Sequence, residues 1–176
     1  MALQIPSRAG PFSPGHLTMM VDAGGSPFGN GGFDIGSRVI EPALWAIGVR
    51  SLRTLLLTHG DPDHIGGAAA LIDDLRPKHL WQGVPVPAAA ALQAVLARAR
   101  SDARTDLEER RAGEAHALGE ARIVVLHPPR PDWERQRVRN DDSVVIEVLY
   151  GDIALLLTGD IGGAVERAIV PHLIPA

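Results

Sequence analysis

The sequence contains no cysteine, which excludes disulfide bonds and metal sites built from thiolates. It has no internal repeat, and no apolar run approaches the roughly 20 residues that a membrane-spanning helix needs. The N-terminal stretch MALQIPSRAG lacks an apolar core followed by a cleavage site, so it does not predict a signal peptide. The cellular location is therefore left open.

An excess of positive charge is also missing. The formal net charge is −4 at pH 7, so the chain as a whole does not attract nucleic acid or an anionic membrane. Any such binding would need a local basic patch. Arginines are concentrated within residues 88–111, where acids are interleaved with them: Asp102, Asp106, Glu108 and Glu109. We therefore predict a solvent-exposed face of ion pairs there, with phosphate binding as the less favoured alternative.

The residues that are present predict one globular α/β domain. With 176 residues, of which 45% are hydrophobic and 22% charged, the chain can bury one sizeable core. Short apolar runs predict strands at 17–21, 52–57, 123–126, 144–149 and 153–157. Helices are predicted at 37–46, 67–75, 88–111 and 163–169. This alternation favours the α/β class, and Tyr150–Gly151–Asp152 predicts a hairpin turn between the last two strands.

Three of the predicted strands end in a polar residue beside a glycine-containing turn. The first runs into Asp22, the second into Thr58 and His59, and the last into Asp160. In layered α/β folds the ends of strands meet at one edge, and ligands bind there. A shared polar site is therefore more probable than three unrelated surface turns.

The stretch LLLTHGDPDHIGG carries the candidate chemistry. Four residues with nitrogen or carboxylate donors fall between positions 59 and 64: His59, Asp61, Asp63 and His64. Such donors, held on a tight loop, are what a divalent metal ion needs. The first three alternate, so an extended backbone can point them the same way. The alternative is a polar loop that caps the following helix.

Several segments together resemble a known family. THGDPDHIGG is similar to the signature loop of the metallo-β-lactamase fold, whose usual form is His-x-His-x-Asp-His. The form with Asp61 in place of the second histidine resembles the C-terminal domain of the ComEC-type competence proteins. MMVDAGG, NDDSVVIEV and LLLTGDI resemble other motifs of the fold, and the resemblance covers almost the whole chain.

The resemblance implies a four-layer αβ/βα sandwich with a centre for two divalent metal ions at one edge. Manganese, zinc and magnesium are the candidate ions. His59 and Asp61 would bind the first ion, Asp63 and His64 would bind the second, and Asp160 would bridge them. Asp63 would also act in catalysis by helping to position the attacking hydroxide.

Further polar residues are implied around the ligands. Asp22 and Thr58 would lie behind the metal ligands and orient the loop. Asn140, Asp141 and Ser143 occupy the place where the broader fold has its third-motif histidine. Asp141 is therefore a candidate ligand, and Asn140 and Ser143 are candidates for supporting roles.

The sequence also departs from the family pattern. A PHHGS-like segment, which supplies the last histidine in the competence-type proteins, is absent, and His172 follows Asp160 too closely to replace it. The VGQGD start of the first strand is missing as well. We therefore expect residues 1–176 to form a single but partial domain with an unpaired strand edge, exposed apolar surface and a tendency to self-associate. Weak metal binding and weak activity are expected for the same reason.

The function that this resemblance favours is metal-dependent hydrolysis of DNA phosphodiesters, related to DNA uptake in competence. By the same resemblance, the full-length protein could be linked to a membrane channel. One alternative is hydrolysis of a small lactone, lactam or thioester, since the fold supports all of these. Another is a catalytically inactive remnant that binds metal or DNA.

Overall fold

The first part of the chain forms a five-stranded sheet. The computed structural model describes residues 1–7, 15–26, 32–130 and 134–174. The strands follow one another in chain order: β1 (Ala2–Pro6), β2 (His16–Val21), β3 (Thr54–Leu56), β4 (His79–Gln82) and β5 (Asp106–Glu109). β1 is antiparallel to β2, and the other neighbours are parallel. The carboxyl ends of β2 and β3 therefore reach the same edge, with Val21 beside Leu56.

Helices cover one face of this sheet. They are a π-helical turn (Gly36–Ile40), α1 (Glu41–Ala46), α2 (Pro62–Ile65), α3 (Ala68–Leu75) and α4 (Ala90–Ser101). Side chains alternate across the sheet, so Leu55 and Leu57 pack under the helices against Leu71 and Leu96. Leu56 faces the other way. No helix within the described ranges is long and apolar enough to cross a membrane.

The second part of the chain forms a four-stranded antiparallel sheet. Its strands are β6 (Ala115–Leu118), β7 (Ala121–His127), β8 (Val145–Tyr150) and β9 (Ile153–Leu157). Its inner face packs against the first sheet, with Ile123 and Ile146 against Met19 and Leu56. The last helix, α5 (Gly163–Ile169), packs on the outer face through Ile169. The layers are thus helices, sheet, sheet and helix, as the four-layer prediction requires.

The prediction of one helix over 88–111 is wrong after residue 101. α4 ends at Ser101, because Asp102 adopts an extended backbone and accepts hydrogen bonds from the backbone and side chain of Arg104. The chain then forms β5 beside β4. Ion pairs are present in this region as predicted, but Arg110–Glu108 and Arg111–Glu109 join residues two apart at the end of β5. The Arg110 side chain is buried, so this part is not the solvent-exposed face that was predicted.

β9 lies at the edge of the second sheet and is poorly covered. Among the described strands it pairs only with β8. Ile153 is 64% exposed, and Leu155 and Leu156 are each 37% exposed. An apolar strand at a sheet edge can pair with another chain. The expected exposed apolar edge therefore lies at β9.

Candidate metal centre

The loop after β3 is fixed by backbone hydrogen bonds to the loop after β2. The N–H of Ala23 donates to His64 O (2.7 Å), and the N–H of Gly66 donates to Gly24 O (2.7 Å). The two loops approach so closely that a Cβ on Gly25 would lie 2.0 Å from Pro62 O. Gly25 also has a φ of +146°, which an L side chain rarely adopts. A glycine is therefore required where these loops meet.

Asp22 connects the two loops through one carboxylate. It accepts hydrogen bonds from the backbone N–H of Thr58 (2.8 Å) and from its hydroxyl (2.9 and 3.0 Å). His64 Nδ1 donates to the same carboxylate at 2.8 Å. This hydrogen bond raises the pKa of His64 to about 9, against the opposing effect of burial. A cation that binds at His64 Nε2 must therefore compete with a proton.

The hydrogen bonds around Thr58 favour one tautomer of His59. Thr58 Oγ1 donates its only proton to Asp22, so it can only accept from His59 Nδ1, 3.1 Å away. Nε2 of His59 then carries the lone pair. Burial lowers the pKa of His59, as does the nearby charge of His64, so His59 stays neutral.

The structure brings three of the candidate ligands together. Ligand atoms of His59, His64 and Asp160 all lie within 4.8 Å of one another. His64 Nε2 is 3.4 Å from Asp160 Oδ2, and the two imidazole rings are 4.2 Å apart between centroids. His59 Nε2 is buried and has no hydrogen-bond partner among the described residues. An unpartnered buried nitrogen beside a carboxylate fits a divalent cation.

The two aspartates of the loop flank this group. Asp61 Oδ2 lies 3.2 Å from His59 Nε2, and Asp63 Oδ2 lies 4.0 Å from His64 Nε2. Both carboxylates are partly exposed, at 36% and 39% of the side chain. One aspartate is thus beside each histidine, in the pairing that the resemblance implies for two ions.

The second sheet supplies the remaining predicted residues. Ser143 is fully buried, and its Oγ accepts a hydrogen bond from the N–H of Asp160 (3.3 Å) while lying 3.3 Å from His59 Nδ1. Asn140 begins a 3-10 turn, Asn140–Asp142, and its carbonyl accepts from the N–H of Ser143 (2.9 Å). Asp141 accepts from the N–H of Gly162 (2.8 Å) and is outside the group of three. Its role as a ligand stays a prediction.

A second group of metal-ligating side chains lies at the opposite end of the first sheet. His79 Nδ1 donates to Glu108 Oε1 (2.6 Å) and is 3.8 Å from Asp106 Oδ2. Glu108 also forms an ion pair with Arg110, which stacks 4.3 Å from the centroid of the Trp81 ring. Against the effect of burial, the hydrogen bonds from Arg110 and His79 lower the pKa of Glu108. The ligand atoms of this group are therefore already paired with one another and with Arg110, in an ion-pair network along β4 and β5.

Sequence reasoning missed the arginines beside the centre. Arg139 lines a small cavity together with His59, Gly60 and Gln82. None of the arginines in the stretch that we considered, 88–111, lines this cavity. The signal was the alternating RQRVR at 135–139, which places an arginine at every second position.

Comparison with known proteins decides the family. Residues 14–174 match the family described as the metallo-beta-lactamase superfamily. The chain belongs to the metallo-β-lactamase superfamily. The predicted fold class is thereby confirmed, and proteins of this fold typically bind divalent metal ions.

One relative supports the competence-type resemblance. ComE operon protein 3 from Bacillus subtilis (strain 168) is 30% identical over 138 residues, which are 78% of this chain and 17% of the relative. The chain thus spans only a small part of the relative's length. The resemblance to the competence-type branch is confirmed.

One solved structure agrees with the architecture of this chain. CmlA, a diiron β-hydroxylase from Streptomyces venezuelae, has a TM-score of 0.54 at 20% identity, over 93% of this chain and 30% of CmlA. The metallo-β-lactamase fold protein YhfI from Bacillus subtilis has a TM-score of 0.47 at 14% identity, over 83% of this chain and 52% of YhfI. The likeness to CmlA concerns the fold.

Proposed function

We propose that the chain is a metal-dependent phosphodiesterase domain that acts on DNA. The observation that carries this proposal is the grouping of His59, His64 and Asp160, with the buried Nε2 of His59 left without a hydrogen-bond partner among the described residues. Asp61, which distinguishes the competence-type loop, and the relative encoded in the ComE operon support DNA as the substrate.

The residues around the centre have separable tasks in this proposal. Asp22 accepts hydrogen bonds from His64 Nδ1 and from the hydroxyl of Thr58. Thr58 in turn fixes the ring of His59 through Nδ1. Asp63 is partly exposed and would accept a proton from the attacking water. Two divalent ions, when bound, would supply an activated water for in-line attack on phosphorus and would stabilise the leaving oxygen.

The donor set favours hard cations. Of the candidate ligands His59, His64, Asp61, Asp63 and Asp160, three are carboxylates. Manganese and magnesium prefer carboxylate oxygens as ligands, whereas zinc prefers imidazole and thiolate. The aspartate at position 61 therefore moves the preference from zinc towards manganese or magnesium.

The double variant Asp63→Ala/His64→Ala tests the metal centre. It removes one nitrogen and one carboxylate, so we expect no stoichiometric binding of manganese or zinc by isothermal titration calorimetry. Asp152→Ala/His172→Ala is a matched control, since it removes the same residue types from exposed positions in the β8–β9 turn and near the C-terminus. Stoichiometric metal retained by the first variant would falsify the assignment.

Turnover then separates the substrate classes. Wild-type protein loaded with manganese should cleave single-stranded DNA or bis-nitrophenyl phosphate and leave a chromogenic lactam intact. Lactam hydrolysis without action on either phosphodiester would replace the proposal with the alternative, hydrolysis of a small lactone, lactam or thioester. Metal binding without any turnover would support an inactive binding domain.

A further inference from the structure

A short basic segment lies directly against the loop that carries His59. We define the arginine segment as Arg135, Arg137 and Arg139. Val138, between the last two arginines, packs against Gly60, and a Cβ on Gly60 would come within 3.0 Å of the Val138 side chain. Arg139 lines the same cavity as His59. Through Val138 and Arg139, the segment therefore forms a wall beside the loop that carries His59.

Hydrogen bonds to Pro85 and Asp142 fix the position of the arginine segment. The N–H of Arg135 donates to Pro85 O (3.0 Å), and its guanidinium makes two hydrogen bonds to Asp142, at 2.9 and 3.2 Å. Arg139 Nε is 3.9 Å from the same carboxylate. Asp142 itself is only 12% exposed, so it lies beneath the arginines rather than beside them on the surface. One carboxylate thus positions two guanidinium groups.

Positive charge therefore faces the solvent at this wall. The Arg139 side chain is 51% exposed, Arg137 is exposed, and no ion pair or hydrogen bond of the Arg137 side chain occurs within the described ranges. The nearby carboxylate of Asp141 keeps its charge, and a hydrogen bond from the N–H of Gly162 fixes its position. Guanidinium groups bind phosphate in a bidentate manner, and more than one exposed arginine on the same short segment suits the repeating charge of a polynucleotide.

We propose that the arginine segment binds the phosphate backbone of a nucleic-acid strand and guides it to the metal centre. This inference rests on the proposed function, because it takes a polynucleotide as the substrate of the same site. It assigns Arg137 and Arg139 to strand binding, with Asp142 as the residue that positions Arg139. The contacts would go to phosphates, so binding should be independent of base sequence.

The test measures binding separately from turnover. Fluorescence anisotropy of a labelled single-stranded oligonucleotide, in EDTA between 50 and 200 mM KCl, gives the slope of log affinity against log salt. Each lost phosphate contact on a single strand lowers the magnitude of that slope by about 0.7. For Arg137→Ala/Arg139→Ala we expect a decrease of about 1.4. A mixed-sequence and an all-thymine oligonucleotide should give the same change.

A matched variant controls for net charge. Arg100→Ala/Arg122→Ala also removes two exposed arginines, one near the end of α4 and one near the start of β7. It should leave the slope unchanged. An equal decrease in both variants, an unchanged slope in the first, or no oligonucleotide binding by the wild type at 50 mM salt would overturn the inference. Because the assay contains no metal, its outcome is distinct from phosphodiester turnover, which tests the proposed function.

Discussion

At the scale of single residues, Asp22 connects both histidines of the candidate centre, His64 directly and His59 through Thr58. Its carboxylate accepts hydrogen bonds from Thr58 and His64, and its backbone has a φ of +56°. Asparagine tolerates this left-handed conformation as well as aspartate does. Asp22→Asn therefore changes the charge behind the ligands while the backbone stays relaxed.

We expect Asp22→Asn to weaken metal binding by about 10–100-fold, because His64 loses the partner that orients it and raises its basicity. Isothermal titration calorimetry with manganese gives the affinity directly. Asp152→Asn, in the exposed β8–β9 turn, is the control and should bind metal like the wild type. Equal affinities for all three proteins would contradict the role given to Asp22.

Glu41 makes a prediction about stability that does not involve the metal centre. It is 2% exposed, and its Oε1 has no hydrogen-bond partner within the described part of the chain. Burial raises the pKa of Glu41, and the carboxylates of Asp74 and Asp34 add to the effect. The folded state therefore holds this proton more tightly than the unfolded state, so the group destabilises the fold as pH rises above about 4.5.

Glu41→Gln should accordingly raise the free energy of unfolding at pH 7 by about 1 kcal/mol. The gain should shrink as the pH falls towards 4.5, where Glu41 itself becomes neutral. Urea unfolding at several pH values measures both effects. Glu166→Gln, at an exposed position of α5, should show no such pH-dependent gain. A gain of constant size at all pH values would point to packing instead of charge.

At the scale of elements, the sequence predicts best where local pattern and tertiary structure agree. The helix at 163–169 and the strand at 153–157 have the predicted bounds, and the hairpin turns at Gly151–Asp152 as expected. β4, β5 and β6 were not predicted. Each has four residues, too few to show a period of two. Three of the four side chains of β5 are charged, and its place in the sheet comes from its pairing with β4.

The candidate site follows the same rule. The ligands on the loop could be predicted because they are close in sequence, and the first two strand ends meet since β2 and β3 are parallel neighbours. The wall formed by the arginine segment depends on Val138 packing against Gly60, a contact between distant parts of the chain. Sequence alone gives no means to find such a contact.

β9 gives the prediction at this scale. Ile153→Lys/Leu156→Lys places one charge on each face of the exposed edge strand, and lysine at a sheet edge opposes pairing with another chain. We expect self-association to decrease, as measured by analytical ultracentrifugation over a range of concentrations. Ile47→Lys, at a residue that is 59% exposed outside the sheets, should leave the association unchanged. If it has the same effect as the double variant, β9 is not the contact surface.

At the scale of the whole molecule, metal binding should be visible as thermal stability. A ligand that binds only the folded state stabilises it by about 2.7 kcal/mol when present at 100 times its Kd. For a chain of this length, this corresponds to a rise in Tm of roughly 5–10 °C. Differential scanning calorimetry with manganese, and then with EDTA, measures the rise and its reversal. Asp63→Ala/His64→Ala should melt at the same temperature with and without the ion.

The position of the centre between the two sheets has a consequence for how the molecule comes apart. His59 and His64 follow β3 of the first sheet, whereas Asp160 follows β9 of the second. A cation held by all three ties the two sheets together at one edge, as a cross-link would. Without the cation, only the core between the sheets couples their opening; with it, their edges are joined as well. Chelation would then change the cooperativity of unfolding as well as its midpoint, with the van't Hoff enthalpy falling below the calorimetric one.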